Sequence, residues 1–558
     1  MNGTHRVPVL IAGGGPVGLC LAMELGSRAT GCLLVNERKT TSTHPKGSTI
    51  NARTMEHFRR LGFAGKVRKM GIPADHPTDI AYVTRLNGHE LGRLHMPSVQ
   101  EKIKNPGPQG ETRLTPEPLH RANQVYVDPL LLEQAKSFPG SDIRFGWRLV
   151  SFTQDGDSVQ AEIEEIETGC SQTVVCDYLV GCDGGKGMVR RSLGFHYSGR
   201  NSSGDRFYDG VMISAYVRAP KAYEILNTSI AWHYFTINTD GRTDVISLDG
   251  KGEFLMLAEM PPGKSIEQID AAEMFRIAAG ENIQVESVSV QEWVAGLALV
   301  VDGYQKGRVF LAGDSAHLFT PAGGFGSNTG IDDVANLGWK LAAVCQGWGG
   351  SQLLDSYEIE RRPIGIRNTS ESGRLAEKIG ALQFDRHLEE QGAAGEASRA
   401  RLREELKTFK EEFASIGIQL GARYDGSPII ISDGTSPPPD LPAVYTPSAC
   451  PGGRAPHYWI AEKTSLFDRL GPWFTLLRLG TSPPGAGGFT QAAGRLGIPL
   501  KVLDLAEDGA RELYGANLAL IRPDQHVAWR GDKVPEDIEA VLATVTGRFA
   551  GRSPSVDL

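Results

Sequence analysis

Three places in the chain combine residue types that could hold a nucleotide and a flat redox ring. The stretch FLAGDSAHLFTPAGGFGSNTG, residues 310–330, sets one carboxylate, Asp314, directly after an apolar run and then supplies Gly323, Gly324 and Gly326. A carboxylate at the end of a strand can accept hydrogen bonds from the hydroxyls of a polyol chain. Bare backbone can approach a planar ring without side-chain interference. The segment VPVLIAGGGPVGLCLAMELGSRATGCLLVNERK, residues 7–39, carries Gly13, Gly15 and Gly18 in G-x-G-x-x-G spacing between an apolar run and a helix-like run, with Pro16 inside it. There the first glycine permits a tight turn, the second lets backbone approach a pyrophosphate, and the third brings helix against strand. Glu37, nineteen residues after Gly18, closes a second apolar run, as a ribose-binding acid would. The third place, CDYLVGCDGGKGMVRRSLG at residues 176–194, again ends an apolar run in an acid and a glycine, Asp183 and Gly184. A polyol is present in FAD and absent from NAD, so Asp314 decides for FAD.

These groups need strands and helices to position them, and the chain has the means. At 558 residues, 40% hydrophobic and 22% charged, it can bury several cores in two or three domains. A formal net charge of -8 gives no global basic field for nucleic acid or an anionic membrane. The seven cysteines contain no C-x-x-C pair, which predicts reduced thiols and a cytoplasmic location. The start of the chain runs directly into a strand, leaving no expected signal peptide, and no apolar run reaches bilayer-spanning length. The thirteen histidines lack metal-ligand spacing, so no metal site is expected. H-E-x-x-H, G-x-S-x-G and the W-x-W-x-I-P signature of flavin halogenases are missing.

Taken together, the three segments resemble the single-component (class A) FAD-dependent aromatic monooxygenases, of the para-hydroxybenzoate hydroxylase and phenol hydroxylase type. Two more segments match, KGSTINARTMEHFRRLG (46–62) and LHRANQVYVDPLLLEQA (119–135), as does PAGGFGSNTGIDDVANLGWKLA after Asp314. YTPSACPGGRAPHYWI (445–460) and YGANLALIRPDQHVAWRGD (514–532) look like the thioredoxin-like domain of the phenol hydroxylase branch. With Cys450 as its one cysteine, that domain cannot run dithiol chemistry alone. The resemblance implies FAD contacts from Gly13, Gly15, Pro16, Gly18, Glu37, Arg38, Lys46, Arg121, Gln124, Asp183, Gly184, Asp314, Pro321, Gly324, Gly326, Ser327 and Asn328. It makes His317 scaffolding of the flavin loop.

The implied fold is α/β: a discontinuous Rossmann-type FAD-binding domain (1–190 and 291–345) with an inserted β-sheet substrate domain (191–290). A helical segment (346–431), a linker (432–445) with three consecutive prolines, and a thioredoxin-like domain (446–558) follow. The charged run 389–413 is expected to be an exposed helix.

The implied reaction uses NADPH or NADH to reduce FAD, captures O2 as a flavin C4a-hydroperoxide and hydroxylates a phenolic or related aromatic small molecule, in a protein that forms a possible homodimer. Phenols react better as phenolates, so a base or relay should face the substrate. Where relatives acting on simple phenols carry an Asp, this chain has Ser48. Candidates elsewhere are His233 and Tyr234 in IAWHYFTI, of opposite parity so that one alone faces the pocket, together with Arg53 and Tyr208. Two other readings remain at this point. One is a Baeyer–Villiger or tailoring oxygenase on a larger polycyclic or ketonic substrate; the other is a flavin redox switch that docks a partner.

Overall fold

The computed structural model describes residues 5–104, 110–202, 207, 209–383, 385–413 and 415–548. Its first sheet is built from apolar runs such as VLIA, CLLV and YLV, the composition of parallel strands covered on both faces. The order across it is Gln305–Lys306, Val309–Leu311, Ser171–Gly181, His5–Ala12, Cys32–Asn36, Ser141–Phe145. The last five pair in parallel, so Ala12, Asn36, Gly181 and Leu311 end at one edge. The three motifs are therefore three neighbouring loops at the carboxyl ends of parallel strands, where open α/β sheets bind ligands.

The second sheet runs Glu286–Ala295, Gly210–Arg218, Glu253–Glu259, Gly241–Ser247, His233–Asn238, Ile80–Val83, Glu90–Leu94. Its strands alternate cleanly. Met212, Tyr216, Phe235, Leu255 and Leu257 pack into one apolar cluster, while Ile213, Ala215, Val217, Tyr234, Val245 and Met256 join Phe275 in another on the opposite face. Two of the seven strands come from residues 80–94, outside the segment 191–290 in which the sequence places the sheet. They join because Ile80–Val83 pairs in parallel with His233–Asn238, a contact across some 150 residues of chain that local patterning does not reveal.

The last sheet, ordered Leu500–Leu505, Phe474–Leu479, Leu518–Ile521, Val527–Gly531, is mixed and carries the helices Gly487–Leu496, Asp508–Tyr514 and Ile538–Val545. The charged run 389–413 is not one exposed helix. Ala393–Leu406 is helical and gives way to a 3-10 turn, and its Ser398, Arg399, Leu402 and Leu406 are buried, the two leucines in the cluster that also holds Phe235. No helix among the described residues is long and apolar enough to cross a membrane.

The C-terminal domain is tied to the flavin domain by buried charge. Glu360 of the long helix Gln352–Gly380 accepts from Arg522 at 2.6 and 2.8 Å, from Lys340 at 2.7 Å, from Asn336 at 2.7 Å and from Ser427 at 2.6 Å. Glu56 is held by Arg454, Arg53 and Thr115. Burial alone would raise these carboxyls, but the guanidinium groups outweigh it and hold Glu56 and Glu360 down at about 2; Arg60 and Arg28 do the same for Glu24. A carboxyl lowered in the folded state stabilises the fold above its unfolded pKa of about 4.3 and loses that contribution as pH falls towards the folded value. The thermal midpoint should therefore stay level from neutrality to about pH 5 and drop steeply between there and about pH 2. Unfolding followed by circular dichroism over that range checks this; a flat profile would contradict it.

Candidate active site

One cleft of about 940 Å³ runs from the carboxyl edge of the first sheet to the inner face of the second. That is the upper end of the range of about 300–1,000 Å³ for small-molecule sites. At one end lie Gly13, Gly14, Gly15 and Pro16, and each glycine's surroundings explain its place. Gly13 has φ +112°, and a Cβ there would sit 2.2 Å from the Cys182 carbonyl oxygen. Gly18 touches no cleft wall but lies so close to the loop that a Cβ would meet the Gly13 oxygen at 2.0 Å. Gly15 faces open space, with nothing within 4 Å of an added Cβ. It caps the helix Pro16–Gly26 without a side-chain hydrogen bond, so first-turn N–H groups remain for an anion. Asn36 steadies the loop by accepting from the Gly14 N–H at 3.0 Å, and Glu37 and Arg38 lie exposed beside it on the cleft wall.

The neighbouring strand end presents Asp183, which accepts from Val189 N–H at 3.0 Å and from the Ser315 hydroxyl at 2.9 Å. Ser315 also accepts from Gly184 N–H, so the second and third motifs lock together. Asp314 stands exposed in the cleft; the protein packed behind it raises its carboxyl, against the pull of His317 and Lys46. Behind it His317, fully buried, pairs with Asp333 at 2.7 Å, which also accepts from Gly313 N–H. Pro321, Gly323, Gly324, Gly326, Ser327 and Asn328 continue the wall. Gly323 and Gly324 adopt φ +79° and +66°, letting the chain turn over the cleft with backbone facing it.

The residues present fit FAD. A glycine cradle with room at Gly15, an uncapped helix start, an acid at the ribose position and an exposed carboxylate for a polyol all line one cleft.

Comparison with known proteins decides the family. Residues 6–372 match the FAD binding domain family, and residues 448–549 match the family described as aromatic-ring hydroxylase, C-terminal. The FAD-dependent monooxygenase apdD of Emericella nidulans is 31% identical over 97% of this chain and 90% of its own. Tetracenomycin B2 monooxygenase-dioxygenase of Streptomyces olivaceus is 30% identical over 98% and 99%. A solved structure of RebC, soaked with chromopyrrolic acid and holding 7-carboxy-K252c, superposes with a TM-score of 0.88 at 35% identity, covering 98% of this chain and all of that one. The chain belongs to the FAD-dependent aromatic-ring hydroxylases.

FAD is the cofactor of this hydroxylase, an enzyme of the aromatic hydroxylase kind. Its cleft continues past the flavin loop to a second wall. Arg121 lines it, bonded to Thr49 and stacked on Trp232 with the guanidinium 3.7 Å from the ring centre. Gln124 and the exposed Lys46 line it as well. Ser48, also on this wall, accepts from the Asn123 amide at 2.7 Å. Ser214, His233, Ile246, Leu255, Leu257 and Trp293 line it from the second sheet, together with Phe319 and Phe413.

Of the sequence-nominated catalytic side chains among the described residues, only His233 lines the cleft. Tyr234 is on the other face of the same strand, in the apolar cluster behind the sheet, with its hydroxyl accepting from Ala231 N–H. Arg53 is also a correction: it points away from the cleft, into Glu56, Gln525 and the Asp524 carbonyl, and ties two domains together. Tyr208 lies outside the described residues. Asn328 lines the cleft but spends its amide on Thr49, Gly324, Asn51 and Thr54, bracing the flavin loop. Sequence reasoning passed over Asn36, His44, Trp232, Trp293 and Phe413. His44 joins the flavin-side loop to the second sheet through Ser289 at 2.7 Å and Ser214 at 2.9 Å. No spacing rule marks such partners, although the tryptophan next to His233 was a readable signal.

Proposed function

We propose that this hydroxylase consumes NADPH or NADH and O2 to place one oxygen atom on a fused, hydroxylated aromatic substrate larger than a simple phenol. One observation carries the reading: the cofactor cradle opens without a break onto a second wall lined by Trp232, His233, Trp293, Phe319 and Phe413, aromatic surface that suits a fused planar ring system. A neutral Ser48, already engaged by Asn123, offers no charged base of the kind expected for simple phenols. The relatives' names point the same way, since tetracenomycin B2 and 7-carboxy-K252c are what those proteins act on or hold.

When bound, the flavin supplies the redox and oxygen-transferring chemistry. The chain's own residues do the rest. The uncapped helix start at Gly15 would hold the pyrophosphate, Glu37 the ribose and Asp314 the ribityl hydroxyls, while Arg38, Lys46, Arg121, Gln124 and Pro321 to Asn328, which line the same cleft, would surround the remainder of the cofactor. Asp183, held by Ser315 and Val189, keeps the loops in register. Leu255, Leu257, Ile246, Trp293 and Phe413 keep water from the reacting ring. His233 offers an imidazole on that wall; burial, with Arg121 nearby, lowers it to about 3, so it is neutral at working pH and able to accept a hydrogen bond.

The test is NAD(P)H oxidation by the FAD-loaded protein with panels of simple phenols, hydroxynaphthalenes and hydroxyanthraquinones. Stimulation rising with the number of fused rings is the expected result. Stimulation confined to single-ring phenols would overturn the reading. A ring-expanded product would move the reaction to the Baeyer–Villiger class, which the same cavity accommodates.

A further inference from the structure

Resting on that reading, one buried pair on the substrate wall has a specific arrangement. His233 and Asp244 lie on adjacent antiparallel strands, where His233 pairs with Ile246 and Phe235 with Asp244, so both side chains share the cleft-side face. Asp244 is fully buried, and its Oδ2 is 3.7 Å from His233 Nε2. The imidazole is fixed in plane: it stacks on Phe235 with centres 4.2 Å apart and meets Trp232 and Phe413 edge-on at 5.4 and 6.2 Å. Both ring nitrogens are buried and neither has a hydrogen-bond partner among the described residues, in a residue that lines the cavity.

A neutral imidazole carries its proton on one nitrogen, and the neighbour of the other decides which. A lone pair on Nε2 would face a carboxylate oxygen and be repelled; an N–H there is attracted. We infer that Asp244, as an ionised carboxylate, is a positioning residue that holds His233 in the Nε2–H tautomer, leaving Nδ1 to accept a hydrogen bond from the phenolic hydroxyl of the substrate. The hydroxyl donates and no bond is broken; the ring gains electron density where the oxygen is to be delivered. Two ionisable groups among the described residues face His233, Asp244 from its own sheet and Arg121 from the strand His120–Arg121. The other neighbours, Trp232, Phe235 and Phe413, are uncharged.

The experiment uses FAD-loaded full-length protein containing histidine labelled with carbon-13 and nitrogen-15, with the His233 signal assigned by its loss in His233→Gln. In wild type the spectrum should report the Nε2–H tautomer, unchanged from about pH 6 to 9 because the ring stays neutral. Asp244→Asn should mix or invert the tautomer, and Asp244→Glu should restore it at least in part. With alizarin as a fused hydroxyquinone probe, Asp244→Asn should lower kcat/KM for NAD(P)H oxidation by roughly 10- to 100-fold while FAD affinity stays level. An Nδ1–H tautomer in wild type, or one unaffected by Asp244→Asn, overturns the inference. If Asp244→Asn does not fold, the wild-type tautomer and Asp244→Glu still decide. Failure of alizarin to stimulate the wild type would count against the proposed reaction, and the tautomer measurement would judge Asp244 separately.

Discussion

Arg522→Ala should destabilise the protein by about 3–5 kcal/mol, among the largest effects a single surface-independent substitution can have here. Arg522 is fully buried between Glu360 and Asp524, giving two hydrogen bonds to the first and two to the second. Removing it leaves two carboxylates in a site from which water is excluded, with Lys340, Asn336 and Ser427 the remaining partners of Glu360. The loss should appear in chemical unfolding of the FAD-free protein, so that cofactor affinity does not enter. Glu360→Gln in the same background should recover part of it, because the neutral amide no longer needs the guanidinium; non-additivity in that double-mutant cycle measures the coupling. Equal and additive losses would mean the two residues do not act as a pair. Since Arg522 belongs to the C-terminal domain and Glu360 to the long helix, a large coupling would also make that domain a structural part of the flavin enzyme.

The second large effect separates holding the cofactor from holding the fold. Gly15→Val should leave the stability of the apoprotein nearly unchanged, because Gly15 has φ -77°, open to any residue, and nothing lies within 4 Å of an added Cβ. The side chain would instead occupy the approach of the pyrophosphate, and FAD affinity should fall by roughly 10- to 100-fold, on overpacking costs of about 1–3 kcal/mol. Gly18→Ala should do the reverse in emphasis. Its Cβ would stand 2.0 Å from the Gly13 oxygen, forcing helix from strand and lowering apoprotein stability together with FAD binding. Flavin fluorescence titration and apoprotein melting distinguish the two. Equal melting losses in both variants would contradict the assignment of different roles to the two glycines.

These contrasts also mark what the sequence could and could not convey. Gly13, Gly15 and Gly18, Asp183, and Asp314 with His317 are legible because each motif is local: a strand end, a turn and a helix start within about twenty residues. His317 pairs with Asp333 sixteen residues on, still within one loop and helix. Side-chain direction at long range is different. Alternation along IAWHYFTI shows that His233 and Tyr234 face opposite ways, but choosing the face needs the register with Gly241–Ser247 and the parallel strand at Ile80, and that is set by the whole sheet. Arg53 illustrates the same limit on a helix. It follows the segment bordering the flavin loop, yet from Ala52–Arg60 it points with Glu56 towards Gln525, 472 residues away. The bridge from His44 to Ser214 and Ser289 joins a loop to two strands of another domain, and no local pattern announces it.

The most direct measurement is a single turnover of the FAD-loaded, pre-reduced enzyme with oxygen-18-labelled dioxygen and a fused hydroxyaromatic such as alizarin, with the products weighed. One labelled oxygen atom in the organic product, with the aromatic ring otherwise intact, is the expected result. Complete reoxidation of the flavin with the label only in hydrogen peroxide or water, for alizarin and for the hydroxynaphthalenes and hydroxyanthraquinones alike, would contradict the account.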